Sequence, residues 1–123
     1  MRAGPPGRGI AVATSRPRSD VYLVTLTGEL DMATAPVVRD HLRRVATTRP
    51  AALVIDLTAV TFLGGAGLAL LVEARHATHG GLQVVAAPDG PVRRALRLTR
   101  VDTLLPLHTR VADALAAADA LRN

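Results

Sequence analysis

An apolar run over 52–57 is followed by Thr58-Ala59-Val60-Thr61-Phe62-Leu63, then by Gly64, Gly65, Ala66 and Gly67, then by the helix-like stretch Leu68-Ala69-Leu70-Leu71-Val72. The pattern predicts a strand, a turn and a glycine-rich helix start. The first N–H groups of a helix have no partner within it, and together they attract anions. The turn lacks the Lys-Ser/Thr ending of a phosphate-binding P-loop, so it gives little ground for nucleotide hydrolysis. His76 and His79 share a predicted helix end without a carboxylate or third ligand, which favours a solvated helix end over a metal site. His41 falls on a helix flank. His108 falls at a strand end, with no serine in a nucleophile motif to pair with. The chain has no cysteine, which excludes disulfides, thiolate metal sites and cysteine nucleophiles. No catalytic constellation, metal site or cofactor motif emerges, and an enzyme is the least supported class.

The 123 residues suit one domain with a real apolar core. Tyr22 and Phe62 are the only aromatic residues, so the core must be built from Val, Leu, Ile and Ala. All 15 basic residues are arginine, and the net charge is +5. The arginines are scattered and aromatic stacking platforms are lacking, which argues against nucleic-acid binding. The longest mostly apolar run, residues 62–72, is shorter than the roughly 20 residues of a spanning helix, and glycines interrupt it. Arg2 and Arg8 are not followed by the apolar segment of a signal peptide, so a cytoplasmic protein without membrane insertion is expected.

These residues need elements to position them. Residues 1–8, rich in Gly, Pro and Arg, are expected to be a disordered lead-in, and 9–123 the folded domain. Residues 10–14 form a first edge strand, 16–20 a turn, and 21–27 a strong β-branched strand, joined as a hairpin. Thr34 is placed as a helix N-cap with Pro36 in the first turn. Val38, His41, Leu42 and Val45 follow at helical spacing. Residues 52–57 are a near-continuous apolar run, as in a strand covered on both faces. Asp56 can accept backbone N–H bonds in the turn that follows. A second helix is expected over 67–78, with Leu68, Leu71 and Val72 on one side. Gly80 and Gly81 stop it.

A strand over 82–86 comes next, then a helix with Val92, Ala95, Leu96 and Thr99 inward and Arg93, Arg94, Arg97 and Arg100 outside. A short edge strand at 104–107 and a terminal helix carrying Val111, Ala114, Leu115 and Ala118 complete the order β-β-α-β-α-β-α-β-α. That order implies an α/β fold with a mostly parallel mixed sheet of about five strands, an N-terminal hairpin and about four helices.

Three segments carry a resemblance to the STAS domain, the fold of anti-sigma factor antagonists. They are Leu26-Thr27-Gly28-Glu29-Leu30-Asp31 with Ala33-Thr34-Ala35-Pro36, the stretch from Leu53 through Leu68, and Leu98 to Leu107. Their order and spacing cover roughly residues 9–120. The resemblance implies a single STAS domain that binds a partner in bacterial transcription regulation. That partner would be an anti-sigma factor of the ATP-binding serine kinase type. The implied binding surface is Asp31, Thr34, Gly64, Gly65, Ala66, Gly67 and Leu68. Asp31 also has a purely structural reading, as a cap of the turn before the first helix.

The chain departs from the family pattern where the family's switch lies. Gly64 stands where an acidic residue is usual, Gly65 where the phosphorylated serine is, and Ala66 where a second serine is. Arg100 stands where glycine is common. Phosphoserine adds nearly two negative charges, which an interface must desolvate or repel. Without the hydroxyl, phosphoregulation at this site is not expected. The glycines also have a packing reading, in which they only let strand and helix approach. Two further readings stand beside the first: a small-anion or nucleotide module at the helix start, and a STAS component of a transporter or signalling assembly. The sequence leaves a homo-oligomer open.

Overall fold

The computed structural model describes residues 9–121, so the disordered segment expected at 1–8 lies outside the described residues. The elements are β1 (Ile10–Arg18), β2 (Val21–Leu30), α1 (Ala35–Ala46), β3 (Ala52–Leu63), α2 (Gly65–Ala77), β4 (Leu82–Val85), α3 (Pro91–Leu98), β5 (Leu107–His108) and α4 (Val111–Ala120). A one-turn 3-10 helix, Val101–Thr103, precedes β5. The expected order, hairpin, mixed sheet and four helices are all present.

The sheet runs β1-β2-β3-β4-β5, antiparallel between β1 and β2 and parallel thereafter. Each parallel step moves in the same direction across the sheet. Right-handed crossovers then place every connecting helix on one face. The packing agrees: Val38 and Leu42 of α1, Leu70 and Leu71 of α2, and Val92 and Leu96 of α3 share one core with Leu53, Ile55 and Leu57 of β3. Helix α4 follows the last strand and covers the other face, where Ala114 and Ala118 meet Val21, Ala52, Val54 and Val85. Arg18 at the hairpin end ties to α4 by donating two bonds of 3.0 Å to Asp119. Alanine-rich α4 suits a thin second layer, because small side chains let it lie close to the strands.

Several boundaries differ from expectation, each for a physical reason. Strand β1 runs on through Pro17 to Arg18, because an edge strand tolerates a residue without a donor. Strand β3 continues through 58–63, which the sequence suggested was a turn. Bulges in its pairing with β2, between Thr25 and Thr27 and between Gly28 and Glu29, shift the register. Val60 and Leu63 are therefore buried three apart instead of two, and strand alternation is lost. Asp56 does accept the Thr58 N–H at 3.0 Å, but inside the strand.

Helix α2 begins at Gly65, two residues earlier than expected, and its buried face is Gly67, Leu70, Leu71 and Ala74, with Leu68 and Val72 only partly covered. Thr99 of the expected inner face is exposed. Arg93, expected outside, is partly buried and donates to the backbone oxygens of Ala86 at 2.8 Å and His108 at 3.3 Å. The edge strand begins only at Leu107, because the 3-10 helix Val101–Thr103 is closed by the Leu104 N–H on the Val101 carbonyl at 2.9 Å and the chain bends before it joins the sheet.

Arg100 adopts φ 62° and ψ 15°, the left-handed region. Glycine is at ease there, and a side chain costs about 1–2 kcal/mol. Arg100→Gly is expected to raise stability by about 0.5–1 kcal/mol, after allowing for the greater freedom of glycine in the unfolded chain. Urea denaturation checks this, and a lower midpoint would show that the Arg100 side chain makes a compensating contact.

His41 on α1 bonds to the Thr14 hydroxyl on β1. Burial, reinforced by Arg44, holds its imidazole below the ordinary value of 6.5. Between the folded and unfolded values only the unfolded chain takes up the proton, so this contribution is complete above 6.5 and is lost as pH falls through the folded value. Stability is therefore expected to decline as pH falls below about 6.5, and His41→Gln should flatten that decline. Thermal melts across the range measure it; an unchanged slope would remove His41 as a source.

Candidate functional site

The carboxyl ends of β2 and β3 lie side by side, with Leu30 paired to Leu63. The chain leaves β2 through residues 31–34 into α1, and leaves β3 through Gly64 into α2. The two exits are joined by the Gly64 N–H, which donates to the Leu30 carbonyl at 3.0 Å. This bond holds the two exits together.

In the first exit Asp31 and Thr34 interlock. The Asp31 Oδ1 accepts the Ala33 N–H at 2.9 Å and the Thr34 N–H at 3.0 Å. The Thr34 hydroxyl accepts the Asp31 N–H at 2.9 Å and donates to the Glu29 carbonyl at 2.7 Å. Thr34 does sit at the N-cap position, but its backbone is already helical and its hydroxyl makes no capping bond. It points back to the strand and fixes the turn. The turn-capping reading of Asp31 therefore holds in its geometry.

In the second exit the four small residues do different things. Gly64 is the N-cap of α2 in extended backbone, with no side-chain capping bond and no acidic residue in the first turn. A Cβ on Gly67 would lie 2.6 Å from the Leu63 Cδ1 and 2.8 Å from the Leu30 Cγ. Gly67 is thus buried and lets α2 seat against both strand ends, which is the packing reading. A Cβ on Gly65 would meet nothing within 4 Å. Packing therefore does not require glycine at 65, which is exposed to solvent. Ala66 and Leu68 are partly buried against the main core. Of the expected turn residues, Gly65 faces outward most plainly, while Gly67 and Leu68 support the turn from beneath.

The sequence did not single out Phe62, Met32 or Val37. Phe62 is 50% exposed, and its ring lies 3.0 Å from where a Gly64 Cβ would be. Met32 is 82% and Val37 60% exposed, in the segments that open α1. Single exposed apolar side chains are common on protein surfaces, so what sets Phe62 apart is its place against the glycine turn. The available signal was that Phe62 is one of only two aromatics and borders the glycine turn.

Among the described residues no group of three or more His, Asp or Glu is placed to hold a metal. His108 bonds to Gln83 at 2.6 Å inside the fold. His76 and His79 are exposed at the end of α2. No helix of the described residues is long and apolar enough to cross a membrane.

A mixed sheet with one hairpin strand, three helices on one face and one on the other is shared with known proteins. The STAS domain family profile matches residues 13–114. The chain belongs to the STAS domain family. It is 33% identical over 96 residues to the anti-sigma-F factor antagonist RsfB of Mycobacterium tuberculosis, covering 77% of this chain and 79% of that protein. It is 28% identical over 109 residues to RsfA of the same species, covering 85% of each. The crystal structure of an anti-sigma factor antagonist from Mycobacterium paratuberculosis superposes with a TM-score of 0.83 at 36% identity, over 94% of this STAS chain and 98% of that one.

Proposed function

We propose that this STAS protein is an anti-sigma factor antagonist that binds an anti-sigma factor of the ATP-binding serine kinase type and is not switched by phosphorylation in its glycine turn. The contact surface is the 64–68 turn with Asp31 and Thr34 beside it, and Phe62 and Met32 supply apolar anchors. The observation that carries the reading is Gly65. It is exposed at the first position of α2 with open space around it, where a side chain would be free to act as a switch, yet it carries no hydroxyl. Relatives named as anti-sigma-F factor antagonists support the partner class.

Incubation with the cognate anti-sigma factor and ATP, followed by intact mass measurement, tests the missing switch. The expected result is complex formation with no added phosphate. The hydroxyls that precede the turn most closely in sequence, Thr58 and Thr61, are exposed. Phosphate on either would show that a switch had moved rather than vanished.

The bare start of α2 gives a second reading, an anion- or nucleotide-binding module, its specific support being the absence of any side-chain cap there. It predicts a rise in melting temperature with phosphate or nucleotide and no protein partner.

A further inference from the structure

A groove of about 440 Å³ opens between the C-terminal halves of α1 and α2. It lies at the opposite ends of these helices from the 64–68 turn. Its volume falls within the range of small-molecule sites. The floor is aliphatic: Leu42, Leu53, Leu70 and Ala74 line it. Small side chains at Ala46 and Ala77 keep it open. The one hydroxyl in the lining, on Thr78, already donates to the Ala74 carbonyl at 2.8 Å. An occupant must therefore be apolar along its body.

The rim sets the other end of the occupant. Arg39 and Arg43 from α1 face Glu73 and His76 from α2. Arg39 holds both carboxylate oxygens of Glu73, at 2.9 and 3.3 Å. Arg43 makes no hydrogen bond or close ion pair among the described residues and feels Glu73, which Arg39 already holds, only from farther off, so the rim keeps one net positive charge. A guanidinium fork matches a carboxylate in shape. One net charge matches a monoanion better than a phosphate dianion.

We propose that this groove binds a medium-chain fatty acid, with the tail on the leucine floor and the carboxylate on Arg43. The site is independent of the partner-binding reading. Titration of the whole chain with decanoate, below its micelle concentration, tests it by calorimetry and by amide chemical shifts. The expected result is saturable binding at one site, with shifts at the C-terminal halves of α1 and α2 and none in the 64–68 turn. Arg43→Glu should weaken binding at least about tenfold, as expected for a lost charge-assisted bond. Ala77→Phe should block it by filling the groove from an exposed position. Decanol serves as the neutral control and butyrate as the short one, and both should bind far more weakly. The proposal is overturned if decanoate does not saturate, if decanol binds equally well, if Arg43→Glu changes nothing, or if the shifts lie elsewhere.

Discussion

Gly28→Ala should destabilise the protein by about 3 kcal/mol or more, combining backbone strain with a backbone collision. Gly28 has φ +123°, a conformation that side chains rarely adopt. A Cβ there would lie 2.1 Å from the Gly9 carbonyl oxygen, which also accepts the Glu29 N–H at 2.8 Å. The colliding atom is backbone, so no rotamer change relieves it. Either the start of β1 detaches or the β2 backbone at Gly28 shifts, disturbing its pairing with β3. Gly28 lies three residues before Asp31, so a shift there would disturb the Asp31–Thr34 turn, and partner binding should fall with stability. A melting temperature lowered by roughly ten degrees or more is the expected readout for a chain of this size. A shift of only a degree or two would mean that β1 is held much less firmly than its pairing implies.

The second large effect concerns Phe62. If it anchors the partner, Phe62→Ala should weaken binding to the anti-sigma factor by about 30-fold or more, the loss typical of an aromatic hot spot. Its ring is half in water, so little core packing is lost, and stability should change by no more than about 1 kcal/mol. The separation of the two quantities is the test. Equal loss of stability and binding would make Phe62 a structural residue. Leu68 is a poorer probe, because it packs partly against the main core and a change there would disturb both.

The architecture was legible because alternating β and α patterns leave few topologies, and right-handed crossovers select among them. The apolar run at 52–57 and the spacing of Val38, Leu42 and Val45 each pointed to their element directly. The continuation of β3 was not legible. Its bulges spoil the alternation that identifies a strand, so Val60 and Leu63 resembled turn residues. The inward reach of Arg93 to two backbone oxygens depends on where β4 and β5 end, which no local pattern encodes. At the candidate site, the glycine turn stood out by type, but the roles of its glycines did not. Gly67 is a packing residue and Gly65 has open space around it, a distinction set by the positions of Leu30 and Leu63. Phe62 was hidden for the opposite reason: an apolar residue near a strand end reads as core until its exposure is known.

The most direct test is a calorimetric titration of the anti-sigma factor from the same organism with the unmodified protein and with the Gly65→Glu variant. The open space at Gly65 lets the glutamate be accommodated, with stability expected to stay within about 0.5 kcal/mol. Saturable binding by the unmodified protein and its loss in the folded variant are expected, because the new charge would have to be buried at the interface. No binding by the folded unmodified protein, or equal binding by the variant, would contradict the claim that the 64–68 turn is the surface through which this protein acts.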